Sequence, residues 1–156
     1  MTTGESTQIR TYPTALAFCI TSFFWMGVAT FMGLLGATFL IAPDLANNVS
    51  WLFFGRVRPV HVNMVLFGFV TPGLLAAAFY YLPKVLDTEL YSEKLGVATV
   101  LLWNIVLVAA VASLLAGHSQ GREYAELVWP VDIGIVIVFL MVFANMIMTV
   151  KHRREP

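Results

Sequence analysis

The chain has 156 residues, of which 59% are apolar and 12% charged, with a mean hydropathy of +0.81. A water-soluble domain of this length carries roughly 45–50% apolar and ~25% charged residues, so the excess apolar surface must face a solvent other than water. Nine basic residues cancel nine acidic ones, which removes a nucleic-acid surface from consideration, and a single cysteine, Cys19, excludes a disulfide framework or a cysteine metal site within one chain.

Four intervals hold no Asp, Glu, Lys or Arg: Arg10 to Asp44, Pro59 to Pro83, Leu95 to Gly121 and Ile133 to Val150. A helix rises ~1.5 Å per residue and needs about 20 residues to cross ~30 Å of hydrocarbon. The spacing predicts an all-α integral membrane protein, one membrane domain over 1–156, with helices over 14–42, 60–82, 95–117 and 129–150. Pro43, Pro59, Pro83 and Pro130 fall at the ends of these helices, where a missing N–H costs least. The first span is too long, and too poor in basic residues ahead of it, for a cleaved signal peptide. It also carries Ala29, Gly33 and Ala37 at four-residue spacing, with Gly36 beside them, a small-residue stripe that lets another helix approach closely.

An even number of spans puts both termini on one membrane side. That side collects Arg10, Lys84, Lys94, Lys151, Arg153 and Arg154, and the other Arg56, Arg58 and Arg122. The excess predicts both termini in the cytoplasm.

Three histidines follow. His61 stands near the start of the second helix, just after Arg56 and Arg58 and just before Asn63. Two readings are open: an interfacial histidine hydrogen-bonded to a neighbouring helix, or an axial ligand to a haem iron with the arginines near its propionates. The arginines have their own plain reading as snorkelling anchors of the helix end. His118 closes the third helix on the same side, which permits a bis-histidine haem with His61, although its setting among Gly117, Ser119, Gln120 and Gly121 reads as a solvated loop. His152 lies among basic residues of the tail and reads as a surface group.

Before the fourth helix, Glu123 and Glu126 stand three apart, so a helical turn would face both carboxylates one way. Such a pair could hold a hard cation such as calcium or serve a proton path at the membrane edge, while position alone favours the plain role of stabilising the N-terminal end of a helix dipole. Nothing resembles a phosphate loop, a nucleophile elbow or a zinc motif.

Several segments together carry a resemblance: residues 54–63 (Phe-Gly-Arg-Val-Arg-Pro-Val-His-Val-Asn), 79–83 (Phe-Tyr-Tyr-Leu-Pro), 90–96 (Leu-Tyr-Ser-Glu-Lys-Leu-Gly) and 121–126 (Gly-Arg-Glu-Tyr-Ala-Glu). In order and spacing the chain resembles the start of the catalytic subunit of haem-copper oxidases of the cbb3 type and of the related nitric oxide reductases. The first segment is closer to the cbb3 type and the third closer to nitric oxide reductase. The resemblance implies that His61 is the axial ligand of the low-spin haem b and that Arg56 and Arg58 lie near its propionates. It implies that Glu123 ligates a calcium ion, with Glu126 in the vicinity of that cation or in a proton path. Val62 stands where the family often has threonine.

Members of this family have roughly three times as many helices, and their remaining haem and metal ligands lie beyond the fourth. The chain is therefore expected not to be catalytic alone: a split subunit completed by another chain, a truncated product, or a four-helix relative that keeps one electron-carrying haem. The resulting expectation is a subunit of a respiratory oxidase or nitric oxide reductase in a prokaryotic cytoplasmic membrane, surrounded by lipid. It would take electrons from a c-type cytochrome subunit and pass them, through haem b, to a binuclear centre on the remainder of the catalytic subunit. The rivals are a small cytochrome b with His61 and His118 as its ligands, and a haem-free assembly subunit held by the Gly33 stripe.

Overall fold

The structure, a computed structural model, describes residues 12–46, 49–122 and 124–153. Helix α1 spans Pro13–Ile41 and is followed by two short 3-10 turns, Pro43–Ala46 and Ser50–Leu52. Helix α2 (Phe54–Asn63) passes into a π-helical segment, Met64–Val70, and then into α3 (Thr71–Val85). Helices α4 (Glu93–Leu115) and α5 (Trp129–Lys151) complete the order, and no strand occurs among the described residues. Because α2, the π segment and α3 form one continuous span, Phe54–Val85, the molecule has four spans long and apolar enough to cross a membrane.

The second span corrects the placement of two prolines. It begins at Phe54 rather than Val60 and ends at Val85 rather than Leu82, so Pro59 and Pro83 lie inside helices. At Pro59 the missing N–H would have bonded the carbonyl of Gly55, which sits in the exposed first turn where water can replace the donor. At Pro83 the helix needs only two more residues, and the Pro83 carbonyl accepts from Thr88 N–H at 3.0 Å. Helix α4 likewise starts ahead of its charge-free interval. The Ser92 hydroxyl caps it by accepting from Leu95 N–H at 3.1 Å, and the Glu93 carboxylate accepts the otherwise orphaned N–H of Thr14 at the start of α1 at 3.1 Å.

Packing inverts the soluble pattern. Large apolar residues such as Leu16, Phe23, Leu74, Leu101, Ile105 and Leu140 point outward, where a bilayer accepts them at no cost. Polar groups turn inward and pair. Trp25 Nε1 donates to Asn104 Oδ1 at 2.9 Å, and Asn104 Nδ2 donates to Thr21 Oγ1 at 3.1 Å, tying α1 to α4. Asn145 of α5 exchanges two hydrogen bonds with the backbone of Ser92, at 3.2 and 2.9 Å. No buried side-chain nitrogen or oxygen among the described residues lacks a partner, as hydrocarbon surroundings require.

The π segment is pinned from three sides. Trp103 Nε1 donates to the Phe67 carbonyl (3.1 Å), Ser22 Oγ to that of Phe69 (2.8 Å) and Thr71 Oγ1 to that of Leu66 (2.8 Å). Wide helical turns misalign their own ladder, and these donors take up the carbonyls so freed. Gly68 brings the segment against Trp25: a Cβ at residue 68 would lie 2.7 Å from the Trp25 Cβ. Both atoms are anchored to backbone, so Gly68→Ala is expected to destabilise the fold by about 1–3 kcal/mol. Thermal unfolding in detergent checks this, and an unchanged midpoint refutes it.

Candidate functional site

The site is built where α1 and the start of the second span come closest. His61 sits on α2, and its ring lies against Gly33 of α1: a Cβ at residue 33 would stand 2.7 Å from both Cε1 and Nδ1 of the imidazole. At that distance nothing larger than hydrogen fits. Nδ1 is 2.8 Å from the backbone carbonyl of Ala29. A carbonyl only accepts, so the hydrogen of this bond is on Nδ1. In the neutral ring Nε2 then keeps its lone pair, which is the form that binds a metal. The hydrogen bond to a neighbouring helix and the lone pair kept on Nε2 are thus properties of one arrangement.

The small-residue stripe makes this possible, in a register the spacing did not give. Ala29 is buried, Gly33 faces His61, and Gly36 meets Phe54 and Val57 of α2, while Ala37 is exposed.

Arg56, one turn outward from Val60, crosses to the end of α4. Its Nη1 donates to the Leu115 carbonyl at 2.9 Å, and the guanidinium covers Gly117, which has φ +89°. The left-handed residue ends α4, and the cation compensates the carbonyls exposed there. Arg58, half-buried, follows two residues on. His118 comes directly after Gly117 and is exposed; its backbone N–H closes the helix on the Ser113 carbonyl at 2.9 Å. His61 lies five residues beyond Arg56 along α2, a rise of about 7.5 Å at ~1.5 Å per residue, and is half-buried where His118 is exposed. His152 is exposed, bonded to the Met148 carbonyl and packed on Tyr91.

The loop after α4 corrects the expected helical turn at the two glutamates. Residues 124–128 are not helical, and Glu123 lies outside the described residues. Gln120 folds the loop back, its N–H donating to the Glu126 carbonyl at 2.8 Å and its side chain to the Leu127 carbonyl at 2.6 Å. Glu126 is consequently buried, only 6% exposed, rather than placed at a solvated helix start. Its carboxylate accepts from Asn63 Nδ2 at 2.9 Å, and Asn63 also donates to the Pro59 carbonyl at 2.9 Å. Asn63, 1% exposed, is one turn from Pro59 and two residues from His61, so α2 turns His61 toward α1 and the glutamate's partner toward the opposite side. Among the described residues no three His, Cys, Asp or Glu side chains gather as a metal cluster.

Asn63 attracts no attention in the sequence beyond its neighbourhood, because its partner lies 63 residues away. The Ala29 carbonyl has no sequence signal at all.

This geometry coincides with a match to known proteins. The family model described as "Cytochrome C and Quinol oxidase polypeptide I" matches residues 14–156. The chain belongs to that family. Relatives within this subunit I family include a cbb3-type cytochrome c oxidase subunit of Stutzerimonas stutzeri, 36% identical over 140 residues, covering 90% of this chain and 29% of that protein. A cytochrome c oxidase subunit 1 homologue of Agrobacterium tumefaciens is 35% identical over 133 residues, 85% of this chain and 24% of the relative. A nitric oxide reductase subunit, also of Stutzerimonas stutzeri, is 33% identical over 116 residues, 65% of this chain and 24% of the relative. The chain therefore spans about a quarter of the length of the curated relatives it matches. Subunit I proteins are haem-binding oxidoreductase components of membranes, and this chain, with its four spans, is an integral membrane member. The resemblance to both cbb3-type oxidase and nitric oxide reductase is upheld.

Because Asn63 supplies a hydrogen to a buried carboxylate, Asn63→Leu is expected to lower the unfolding free energy by about 1–3 kcal/mol. The pairing is disproved if the variant melts with the unsubstituted protein in detergent.

Proposed function

We propose that this chain holds a low-spin haem b of a respiratory haem-copper-type oxidase or nitric oxide reductase, with His61 Nε2 as one axial ligand. The observation that carries this reading is the 2.8 Å hydrogen bond from His61 Nδ1 to the Ala29 carbonyl, which leaves the other ring nitrogen as the donor to a metal. The close approach at Gly33 supports it further, since it gives the imidazole one allowed position. When bound, haem b supplies a one-electron couple between ferrous and ferric iron. What the protein's own residues do is orient one ligand, exclude water with apolar helix faces, and set the charge at the rim.

That charge comes from Arg56 and Arg58, proposed as partners of the propionates. A guanidinium has five N–H donors, and the bond of Arg56 to Leu115 uses one of them. Glu123 is proposed to ligate a calcium ion beside the propionates, with Glu126, held by Asn63, next to that cation or in a proton path. The second axial ligand and the binuclear centre are assigned to the remainder of a subunit I, on another chain or on further polypeptide of this one, and the electron donor to a c-type cytochrome. The distribution of Lys84, Lys94, Lys151 and Arg153 against Arg56, Arg58 and Arg122 supports cytoplasmic ends in a prokaryotic inner membrane.

The test is a reduced-minus-oxidised spectrum of the complex purified from membranes, with haem quantified per chain. His61→Ala is expected to abolish the low-spin haem b signal while the chain remains in the membrane. Retention of that signal at the original stoichiometry eliminates His61 as ligand. For the cation, Glu123→Gln is expected to lower the haem midpoint potential, on the order of 59 mV for a tenfold change in the ferrous-to-ferric ratio, and to abolish sensitivity to chelators. If potential and chelator sensitivity both stay as they were, Glu123 holds no cation.

A further inference from the structure

Helix α1 contributes no ligand to the proposed haem site, yet two of its backbone features govern the ligand. The first is the Ala29 carbonyl, 2.8 Å from His61 Nδ1. In an α-helix that carbonyl already accepts from the N–H of residue 33, four positions on. A second donor can reach it only from the side, past residue 33. The second feature is therefore Gly33 itself, over which the edge of the imidazole lies, with Cε1 and Nδ1 2.7 Å from where a Cβ would be. Gly33 adopts ordinary helical backbone, so the turn does not require glycine there; the approach of the ring does. A glycine inside a helix costs roughly 0.5–1 kcal/mol against alanine, which makes this approach the feature that offsets it.

We infer that Gly33, together with the Ala29 carbonyl, is a positioning element for the haem ligand: α1 fixes the tautomer and the ring plane of His61 and thereby tunes the haem's redox potential. The inference rests on His61 being an axial ligand, as proposed above. The mechanism is local. A hydrogen bond from Nδ1–H to a carbonyl shifts electron density toward Nε2, makes that nitrogen a stronger donor, and favours the ferric state. Any side chain at residue 33 must push something aside. The Ala29 carbonyl is fixed in the ladder of a 29-residue helix, whereas the imidazole is the end of a two-torsion side chain. The ring moves and the hydrogen bond lengthens.

Gly36 provides an internal control. It belongs to the same stripe and the same α1–α2 seam, but a Cβ there would meet Phe54 Cε2 at 3.7 Å and Val57 Cγ1 at 3.9 Å, ordinary packing distances. A general loosening of the seam and a specific displacement of the ligand are thus separable.

The experiment is a redox titration of the low-spin haem in the complete, haem-loaded complex purified from membranes. In Gly33→Ala the ferrous-to-ferric ratio at a fixed potential is expected to rise roughly tenfold, about 59 mV for one electron, with haem content unchanged. In Gly36→Ala the potential is expected to stay put. An unmoved potential in Gly33→Ala, or an equal shift in Gly36→Ala, overturns the inference. Should Gly33→Ala not assemble, replacing the amide between Ala29 and Thr30 by an ester weakens the same carbonyl as an acceptor without adding volume. A rise in potential there supports the inference and no rise overturns it. Failure of the underlying haem reading looks different: low-spin haem is absent from the unsubstituted complex, or it persists in His61→Ala, and the inference falls with it.

Discussion

The structure depends on one constraint: inside hydrocarbon, a polar group that finds no partner in the protein has none. Polar side chains within the spans therefore bond their own helix, as Thr38, Thr99 and Ser113 do, or serve as joints between elements. Asn104 joins α4 to α1 through Trp25 and Thr21, Asn145 joins α5 to the Ser92 backbone, and Asn63 joins α2 to the loop carrying Glu126. Apolar contacts alone cannot fix how these helices face one another, because lipid tails satisfy the same surfaces equally well. The paired polar groups, with glycines that permit close approach, set the rotation of each helix. His61 obeys the same rule. Its Nδ1 must have a partner, and the Ala29 carbonyl provides it at the point where Gly33 gives access.

The number and identity of the spans are legible in the sequence because they follow from one strong signal, the absence of charge over about 20 residues. Their ends are less so. Charges at Arg56, Arg58 and Glu93 look like the outside of a helix, whereas Arg56 and Glu93 lie in first turns and pair across to a neighbouring helix, Arg56 with the Leu115 carbonyl and Glu93 with Thr14, and Arg58 follows just inside α2. Proline misleads for the same reason. A lost N–H is cheap wherever the carbonyl it would have served is exposed, so Pro59 marks the neighbourhood of an end and not the end itself.

Of the candidate site, the histidine is legible and its support is not. Residue type and position pick out His61. The acceptor that sets its tautomer is a main-chain atom, and Gly33 reads only as packing because spacing cannot say which side chain arrives against a glycine. The likeness of the motif at 54–63 to subunit I proteins adds what geometry withholds, namely the kind of metal group a lone imidazole here would serve. Glu126 shows the opposite failure. Its spacing from Glu123 suggests a helical turn, but Gln120 folds the segment into an irregular loop that buries the carboxylate.

The π segment at Met64–Val70 has a consequence for how this protein can change over time. A π turn holds one residue more than an α turn, and each residue of an α-helix advances the face by about 100°. The seven residues of the segment therefore turn the chain about as far as six residues of α-helix would, so it absorbs one residue while α2, with His61 and Asn63, and α3 keep the phase of an uninterrupted helix. Losing a single residue between 64 and 70 would restore a regular helix and leave Phe79 and Pro83 turned to the core they fill. What such a loss would take away is the set of carbonyls at Leu66, Phe67 and Phe69 that Thr71, Trp103 and Ser22 now hold. The span is thus adjustable in length by one residue at this place, and its polar joints to the neighbouring helices are what that adjustment would undo.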